Sequence, residues 1–271
     1  MEHHGEIPRQ NVVAIIPARY ASTRLPGKLL LNVADEPLIL HTIRRAAASR
    51  SVSRVLVATD DERIFSVVTD GGFEALMTSS LHKSGSDRVA EAAETLPAKS
   101  IIVNVQGDEP TISPHTIDQA VDAMLNDKTS DIVTTSERIL DTADVHDPNV
   151  VKVVIGQGGR ALYFSRSPIP FPRTASNRFG NLAGALAADP DTLRQYRKHT
   201  GLYVYRREFL LRFAKMEQTN LEKLEMLEQL RALENGAKII VVDAKHCSIG
   251  VDTAEDLERV RVVLESGAQQ V

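Results

Sequence analysis

A chain of 271 residues with 42% hydrophobic and 25% charged content can bury a sizeable core, which excludes the disordered and fibrous classes. A formal net charge of −4 leaves no global basic surface for nucleic acid or an anionic membrane, so any anion binding must be local. The single cysteine, Cys247, excludes an internal disulfide, suits a reducing cytosol, and reads as a small buried residue.

The first ten residues, "MEHHGEIPRQ", lack the apolar core of a signal peptide, and their two histidines carry no evident chemistry. No apolar run approaches membrane-spanning length, so the expectation is a soluble cytoplasmic protein that engages neither nucleic acid nor membrane. β-Branched runs predict strands at "NVVAIIP", "RVLVAT", "SIIVNVQ", "DIVTTS", "NVVKVVI" and "KIIVVDA". Helical segments lie between the earlier ones, at "EPLILHTIRRAAASR", "DERIFSVVTDGG", "SDRVAEAAETL" and "SPHTIDQAVDAMLND". Pro37 suits a helix start and Gly71-Gly72 a helix end. This alternation predicts an α/β fold with a mostly parallel sheet flanked by helices. After about residue 150 the pattern changes: "VVKVVIGQGGRALYFSRSPIPF" reads as a β-hairpin entering a proline-rich loop. "RTASNRFGNLAGALAADPD" shows no period and reads as an irregular excursion. One helix is expected at "NLEKLEMLEQLRALENG" and another at "TAEDLERVRVVLES". With no repeat or linker, the expectation is a single domain over 1–271 carrying an excursion at about 151–215.

Three cations, Arg19, Arg24 and Lys28, share the small-residue loop behind the first strand, where an α/β sheet opens its ligand crevice. The loop matches neither G-x-G-x-x-G nor G-x-x-x-x-G-K-[ST], which disfavours a dehydrogenase and a P-loop enzyme. Three long cations suit a polyphosphate, although any one of them alone would be a solvated turn residue. "IIVNVQGDEP" then sets Asp108 and Glu109 just past a buried strand, with Gly107 permitting a sharp turn, where a carboxylate facing a triphosphate is what Mg²⁺ needs. Alone, G-D-E-P is an ordinary turn. In "SIGVDTAEDLE", Thr253 with Asp256, or Asp252 with Glu255, fits a helix-capping box. Spacing leaves Asp252 open between cap and metal ligand.

The ordered set "IIPARYASTRLPGKLL", "VATDDERI", "HKSGSDRVAE", "IVNVQGDEP", "ALYFSRSPIP", "KHTGLYVYR", "LEMLEQLRALENG" and "GVDTAEDLERV" resembles the 3-deoxy-manno-octulosonate cytidylyltransferases (CMP-KDO synthetases) over about residues 12–265. The resemblance implies a Rossmann-like nucleotidyltransferase fold. It also implies a homodimer and a Mg²⁺-dependent transfer of CMP from CTP to KDO for lipopolysaccharide synthesis in a Gram-negative-type source. By the same resemblance, Arg19, Ser22, Arg24 and Lys28 surround the CTP phosphates, with Lys28 nearest the scissile bond. Ser84, Gly85, Arg88 and Gln106 sit beside the cytidine, and Asp108 and Asp252 hold Mg²⁺. Arg166, His199, Tyr203, Glu228 and Gln229 contact the sugar acid, the hairpin and loop excursion serving sugar binding and dimerisation. Catalysis is assigned to Lys28, Arg19 and Asp108, acting by positioning and charge neutralisation. Two departures stand out. Pro172 to Tyr196 is longer and richer in alanine and glycine than the resemblance suggests, and Thr111 replaces a hydrophobic residue just outside the site. The alternatives are a CMP-sugar synthetase for sialic acid or amino-KDO, and a non-catalytic nucleotide-binding regulator. Intact Lys28, Asp108 and Asp252 argue against the regulator.

Overall fold

The structure is a computed structural model describing residues 11–22 and 24–266, so the reading of the first ten residues lies outside it. Its first stretch runs β1 (Val12–Ala18), a 3-10 turn at Lys28–Leu30, β2 (Asn32–Val33), β3 (Glu36–Pro37), α1 (Leu38–Ala47) and β4 (Arg54–Thr59). Next come α2 (Glu62–Asp70), β5 (Glu74–Met77), α3 (Gly85–Glu94), β6 (Ile101–Asn104) and α4 (Pro114–Asn126). The middle holds β7 (Ile132–Arg138), α5 (Thr142–His146), β8 (Lys152–Ile155), β9 (Ala161–Ser165), α6 (Arg173–Arg178), α7 (Leu182–Ala188) and α8 (Pro190–Leu193). The chain ends with β10 (Arg197–Arg206), α9 (Arg207–Phe213), α10 (Asn220–Glu225), α11 (Glu228–Glu234), β11 (Ile239–Asp243) and α12 (Ala254–Glu265).

The chain packs as two compact units. The first comprises the chain up to Lys128, Leu202–Lys215 and the chain from Lys245 onward. In it β6, β1, β4 and β5 lie side by side, all parallel. Tyr203–Arg206 of β10 adds an antiparallel strand on β6. The unbroken apolar run of β1 is what a strand covered on both faces requires, and Val12–Ile16 and Ala18 are all buried. Helix α1 buries Leu38, Ile39, Ile43 and Ala46 and turns Arg44 outward to Glu36 at 2.7 Å. From β1 the chain steps to β4 and β5 on one side, then returns to β6 on the other. The switch in strand order therefore falls between β1 and β6, whose carboxyl ends open next to each other.

The second unit comprises Thr129–Gly201 and Met216–Ala244. Here β11 runs parallel to β7, and β8 and β9 form the expected hairpin, with Val153 opposite Phe164. Its turn has Gly158 and Gly159 at φ of 70° and 76°, values that favour glycine. The first half of β10 lies beside β7 and pairs Lys198 with Lys152 of β8.

Beside the expectation of one domain with an excursion at about 151–215, the division into compact units falls at Thr129, and Leu202–Lys215 belongs to the first unit. Buried Leu202, Val204, Phe209, Leu210 and Phe213 explain that return. Two local features differ from the sequence reading. The supposedly irregular excursion contains α6, α7 and α8, each too short to show a period. Asn181 and Asp189 cap two of them, accepting from Gly184 N (2.8 Å) and Asp191 N (3.0 Å). The single helix expected over "NLEKLEMLEQLRALENG" breaks at Met226, which adopts φ 53° and ψ 49° between α10 and α11. Among the described residues no helix is long and apolar enough to cross a membrane.

Candidate active site

Within the first unit, a cleft of about 370 Å³ opens at the carboxyl ends of β1 and β6. Pro17, Arg19, Ser22, Arg24, Lys28, Gly85, Gln106, Gly107, Asp108 and Asp252 are on its wall. The cation loop is shaped locally: Gly27 takes φ 65°, and its amide donates to Tyr20 O at 3.1 Å. A Cβ on Gly27 would come within 3.0 Å of the Tyr20 ring, so strain and crowding both require glycine there. Buried Leu29 anchors the following 3-10 turn and thereby fixes where Lys28 points. On the other strand, a Cβ on Gly107 would sit 3.2 Å from Ile39 Cδ1 and 3.3 Å from Pro17 O, and Gly107 O accepts from Thr42 Oγ1 at 2.9 Å. That close approach holds Asp108 against the end of β1.

The charges meet at Lys28. Its ammonium donates to Asp108 Oδ2 at 2.5 Å, Val251 O at 2.7 Å and Asp252 Oδ1 at 3.0 Å. Burial alone would lower its pKa from 10.5, but the carboxylates of Asp108 and then Asp252 outweigh that and hold it raised. Arg24 reaches the second oxygen of Asp252 at 2.9 Å. Asp252 is not the cap of α12, because Thr253 caps that helix in a reciprocal box with Asp256. The Asp252 carboxylate is thus committed to the cleft. Two carboxylates sharing one cation can both reach a common point, and hard oxygen donors suit Mg²⁺. No group of three or more His, Cys, Asp or Glu suited to a metal occurs among the described residues. The donor set therefore fits an ion that completes its shell with substrate phosphates and water rather than a closed protein cage.

The remaining nucleotide candidates divide. Gln106 borders the cleft and donates to Asn104 Oδ1 at 3.4 Å, while Arg19 donates weakly to Lys83 O at 3.5 Å. Ser22 Oγ accepts from Leu25 N at 3.4 Å, shaping its own loop. Ser84 caps α3 by accepting from Asp87 N, and Gly85 presents the start of that helix to the cleft. Arg88, expected beside the cytidine, is placed behind the cleft wall. Its side chain is 1% exposed, paired with Asp60 at 2.9 Å and hydrogen-bonded to Thr78, and it does not line the cleft.

The sugar candidates are spread over both units. Tyr203 is in the first, opposite Asn104 and stacked on Tyr205 at 5.7 Å. In the second, the Arg166 guanidinium donates to Glu225 O (2.7 Å), Pro148 O (2.8 Å) and Met226 O (3.4 Å). His199 is only half-buried as a residue, but its ring lies 3.0 Å from Thr134 Oγ1 and edge-on to Phe164. Desolvation pushes its pKa down to about 3, so the ring is neutral near pH 7 and suits a sugar hydroxyl rather than a carboxylate. Glu228 and Gln229 open α11, Gln229 being buried.

The profile of the cytidylyltransferase family matches residues 13–239. The chain belongs to the cytidylyltransferase family. Within the family, the 3-deoxy-manno-octulosonate cytidylyltransferase of Geobacter sulfurreducens is 51% identical over 92% of this chain and 98% of its own. The protein of that name from Pelobacter propionicus is 50% identical over 93% of this chain and 96% of its own. A solved structure of CMP:2-keto-3-deoxy-manno-octonic acid synthetase complexed with CTP superposes with a TM-score of 0.84 at 38% identity, covering 94% of this chain and 99% of that one. A 4-diphosphocytidyl-2C-methyl-D-erythritol synthase from Anaerococcus prevotii, 12% identical with a TM-score of 0.60 over 95% of this chain and 99% of that one, shares the fold.

Two residues of this cytidylyltransferase escape sequence reasoning. Val251 offers its carbonyl to Lys28, a backbone role that no side-chain pattern announces. Glu225 accepts from Ser165 Oγ at 2.6 Å and from Arg166 N at 2.9 Å, long-range contacts that nothing in its local sequence marks. Thr111, expected just outside the site, accepts from Ile249 N at 2.7 Å. Cys247 is exposed rather than buried, because it lies in the polar connection between β11 and Asp252.

Proposed function

We propose that this cytidylyltransferase transfers CMP from CTP to 3-deoxy-manno-octulosonate, releasing pyrophosphate. The observation that carries the reading is the convergence of Lys28, Asp108 and Asp252, 2.5–3.0 Å apart, in the crevice between β1 and β6. The sugar is taken from relatives of about 50% identity that bear that activity in their name.

The reaction joins the sugar's anomeric oxygen to the α-phosphorus and breaks the α–β phosphoanhydride bond, the attacking hydroxyl giving up its proton to solvent as pyrophosphate leaves. Arg19, Arg24 and Lys28 are the cations available to accept charge on the triphosphate and leaving pyrophosphate. Asp108 and Asp252 would hold Mg²⁺, which supplies charge neutralisation on the phosphate oxygens when bound. Gln106 and Gly85 are the candidate contacts to the cytidine side of the nucleotide. Neutral His199, with Tyr203, Glu228 and Gln229, is assigned to sugar hydroxyls, and Arg166 to the sugar carboxylate. Its three existing carbonyl contacts hold the guanidinium in one orientation.

The reading includes a homodimer and a cytoplasmic setting. Leu140, Leu162, Phe171, Leu224 and Met226, all in the second unit, are 62–81% exposed, large apolar surface of the kind that pairing covers. Pyrophosphate release from CTP tests the activity, with KDO, sialic acid, amino-KDO and a KDO analogue lacking the carboxylate as acceptors. Turnover with KDO and little with the neutral analogue is expected. Turnover with sialic acid but not KDO would move the assignment to another CMP-sugar synthetase.

A further inference from the structure

The segment that delivers Asp252 has no helix or strand between the end of β11 at Asp243 and the start of α12 at Ala254. Its placement depends on a few hydrogen bonds. Val251 N donates to Asp108 O at 2.8 Å, and Ile249 N donates to Thr111 Oγ1 at 2.7 Å. The Thr111 hydroxyl also lies 3.4 Å from Ser248 Oγ and 3.5 Å from Ile249 O. Thr111 itself belongs to a stiff stretch. Successive turns bring Glu109 N to Gln106 O at 3.2 Å and Ile112 N to Glu109 O at 3.1 Å. Ile112 is buried, and its carbonyl is gripped by Arg45 Nε at 2.8 Å. Thr111, 7% exposed, is thus a fixed point three residues from Asp108 that holds an irregular segment three residues before Asp252.

We propose that Thr111 is a positioning residue: its hydroxyl holds the 248–252 segment at the distance that lets Asp108 and Asp252 act as one divalent-ion site. The proposal rests on the reading of those two aspartates as the metal carboxylates. Bonds at Val251 and Asp252, to Asp108 O and from Lys28 and Arg24, hold the end of the segment next to α12, and the Thr111 hydroxyl holds it at Ile249, without which the stretch before Val251 can pivot about that end. Outer contacts of this kind commonly set metal affinity by 10–100-fold without touching the ion.

The test uses the full-length chain and three variants, Thr111→Val, Thr111→Ser and Asp252→Asn. Mn²⁺ binding is read by electron paramagnetic resonance with a non-reactive CTP analogue present, alongside KM for CTP, kcat and melting temperature. Thr111→Val keeps the shape and loses the acceptor. It is expected to weaken Mn²⁺ binding and raise the KM for CTP on the order of 10-fold, with kcat at saturating metal near the parent. Thr111→Ser, which retains the oxygen, should bind Mn²⁺ nearly as the parent does. Parent-like Mn²⁺ binding in Thr111→Val, even with a lowered melting temperature, overturns the proposal, and so does equal loss in the Val and Ser variants. If Asp252→Asn binds Mn²⁺ as tightly as the parent, the metal reading of the aspartates has failed and the Thr111 proposal falls with it. Loss in Asp252→Asn with none in Thr111→Val defeats the Thr111 proposal alone.

Discussion

Lys28 holds the two candidate metal carboxylates together while being only 12% exposed, which changes what its removal should do. Lys28→Ala is expected to lower kcat on the order of 10²-fold or more, through lost stabilisation of the leaving pyrophosphate, as measured by pyrophosphate release. It should also leave Asp108 and Asp252 repelling each other, so the variant should melt lower than the parent and bind Mn²⁺ more tightly in the absence of nucleotide. Unchanged Mn²⁺ affinity would mean that Lys28 and the ion do not compete. Because the Lys28 pKa is raised above 10.5, its stabilisation is complete below that pH and is lost only as pH climbs through the folded value. The melting difference between parent and variant should therefore be flat across neutral pH and shrink above pH 10.5. Asp252→Asn should cut activity severely and barely change the melting temperature, since Thr253, not Asp252, caps α12. His199 titrates in the opposite sense. With a folded pKa near 3 against 6.5 unfolded, the unfolded chain binds the extra proton, so stability is present above 6.5 and declines as pH falls towards 3. Replacing His199 by Asn should flatten melting temperature against pH over that interval. At this scale the sequence showed which groups collect in the cleft but not which are buried behind it. Arg88 reads like any other cation of its motif, and its burial against Asp60, 28 positions away, is a tertiary contact that no local pattern shows.

Elements with strong local signals are those where the sequence reading and the structure agree. The β1, β4 and β6 runs are continuous and apolar, and α1 has an unambiguous buried face, so local pattern and tertiary packing want the same thing. The α10–α11 pair shows the opposite case. Its apolar spacing runs on without a breaker, yet Met226 turns left-handed while Glu225 reaches back to Ser165 and Arg166. Nothing local asks for that turn, so no period could announce it. The two helices are then tied by Glu222 and Arg231, 3.1 Å apart and 3% and 6% exposed. Glu222 also completes the capping box of α10 with Thr219. Glu222→Gln should strand a buried guanidinium and cost about 3–5 kcal/mol of unfolding free energy in a denaturant titration. A loss below about 1 kcal/mol, the range of an exposed pair, would show that water reaches the pair. The excursion offers a milder contrast. Tyr196 is fully buried among Ile139, Val145 and Leu186, and its hydroxyl has no protein partner in that cluster. Tyr196→Phe should accordingly leave the melting temperature unchanged or raise it.

For the whole molecule, the prediction that follows from the exposed apolar side chains concerns mass. Sedimentation equilibrium should give twice the chain mass for the parent, and Leu224→Asp with Met226→Asp should shift it towards one chain. A parent that sediments as a single chain would remove the homodimer. The two-unit division was not legible in advance, because no composition change marks Thr129 and the first unit is discontinuous in sequence. That discontinuity carries a consequence for how the first unit comes together. The cation loop and Asp108 precede Thr129–Gly201 and Met216–Ala244 in the chain, whereas Asp252 and the backbone carbonyl that steadies Lys28 follow them. The contact between Lys28 and Asp252 spans 224 positions, a separation whose closure is entropically costly and slow. The cleft is therefore among the late features to form as the chain folds.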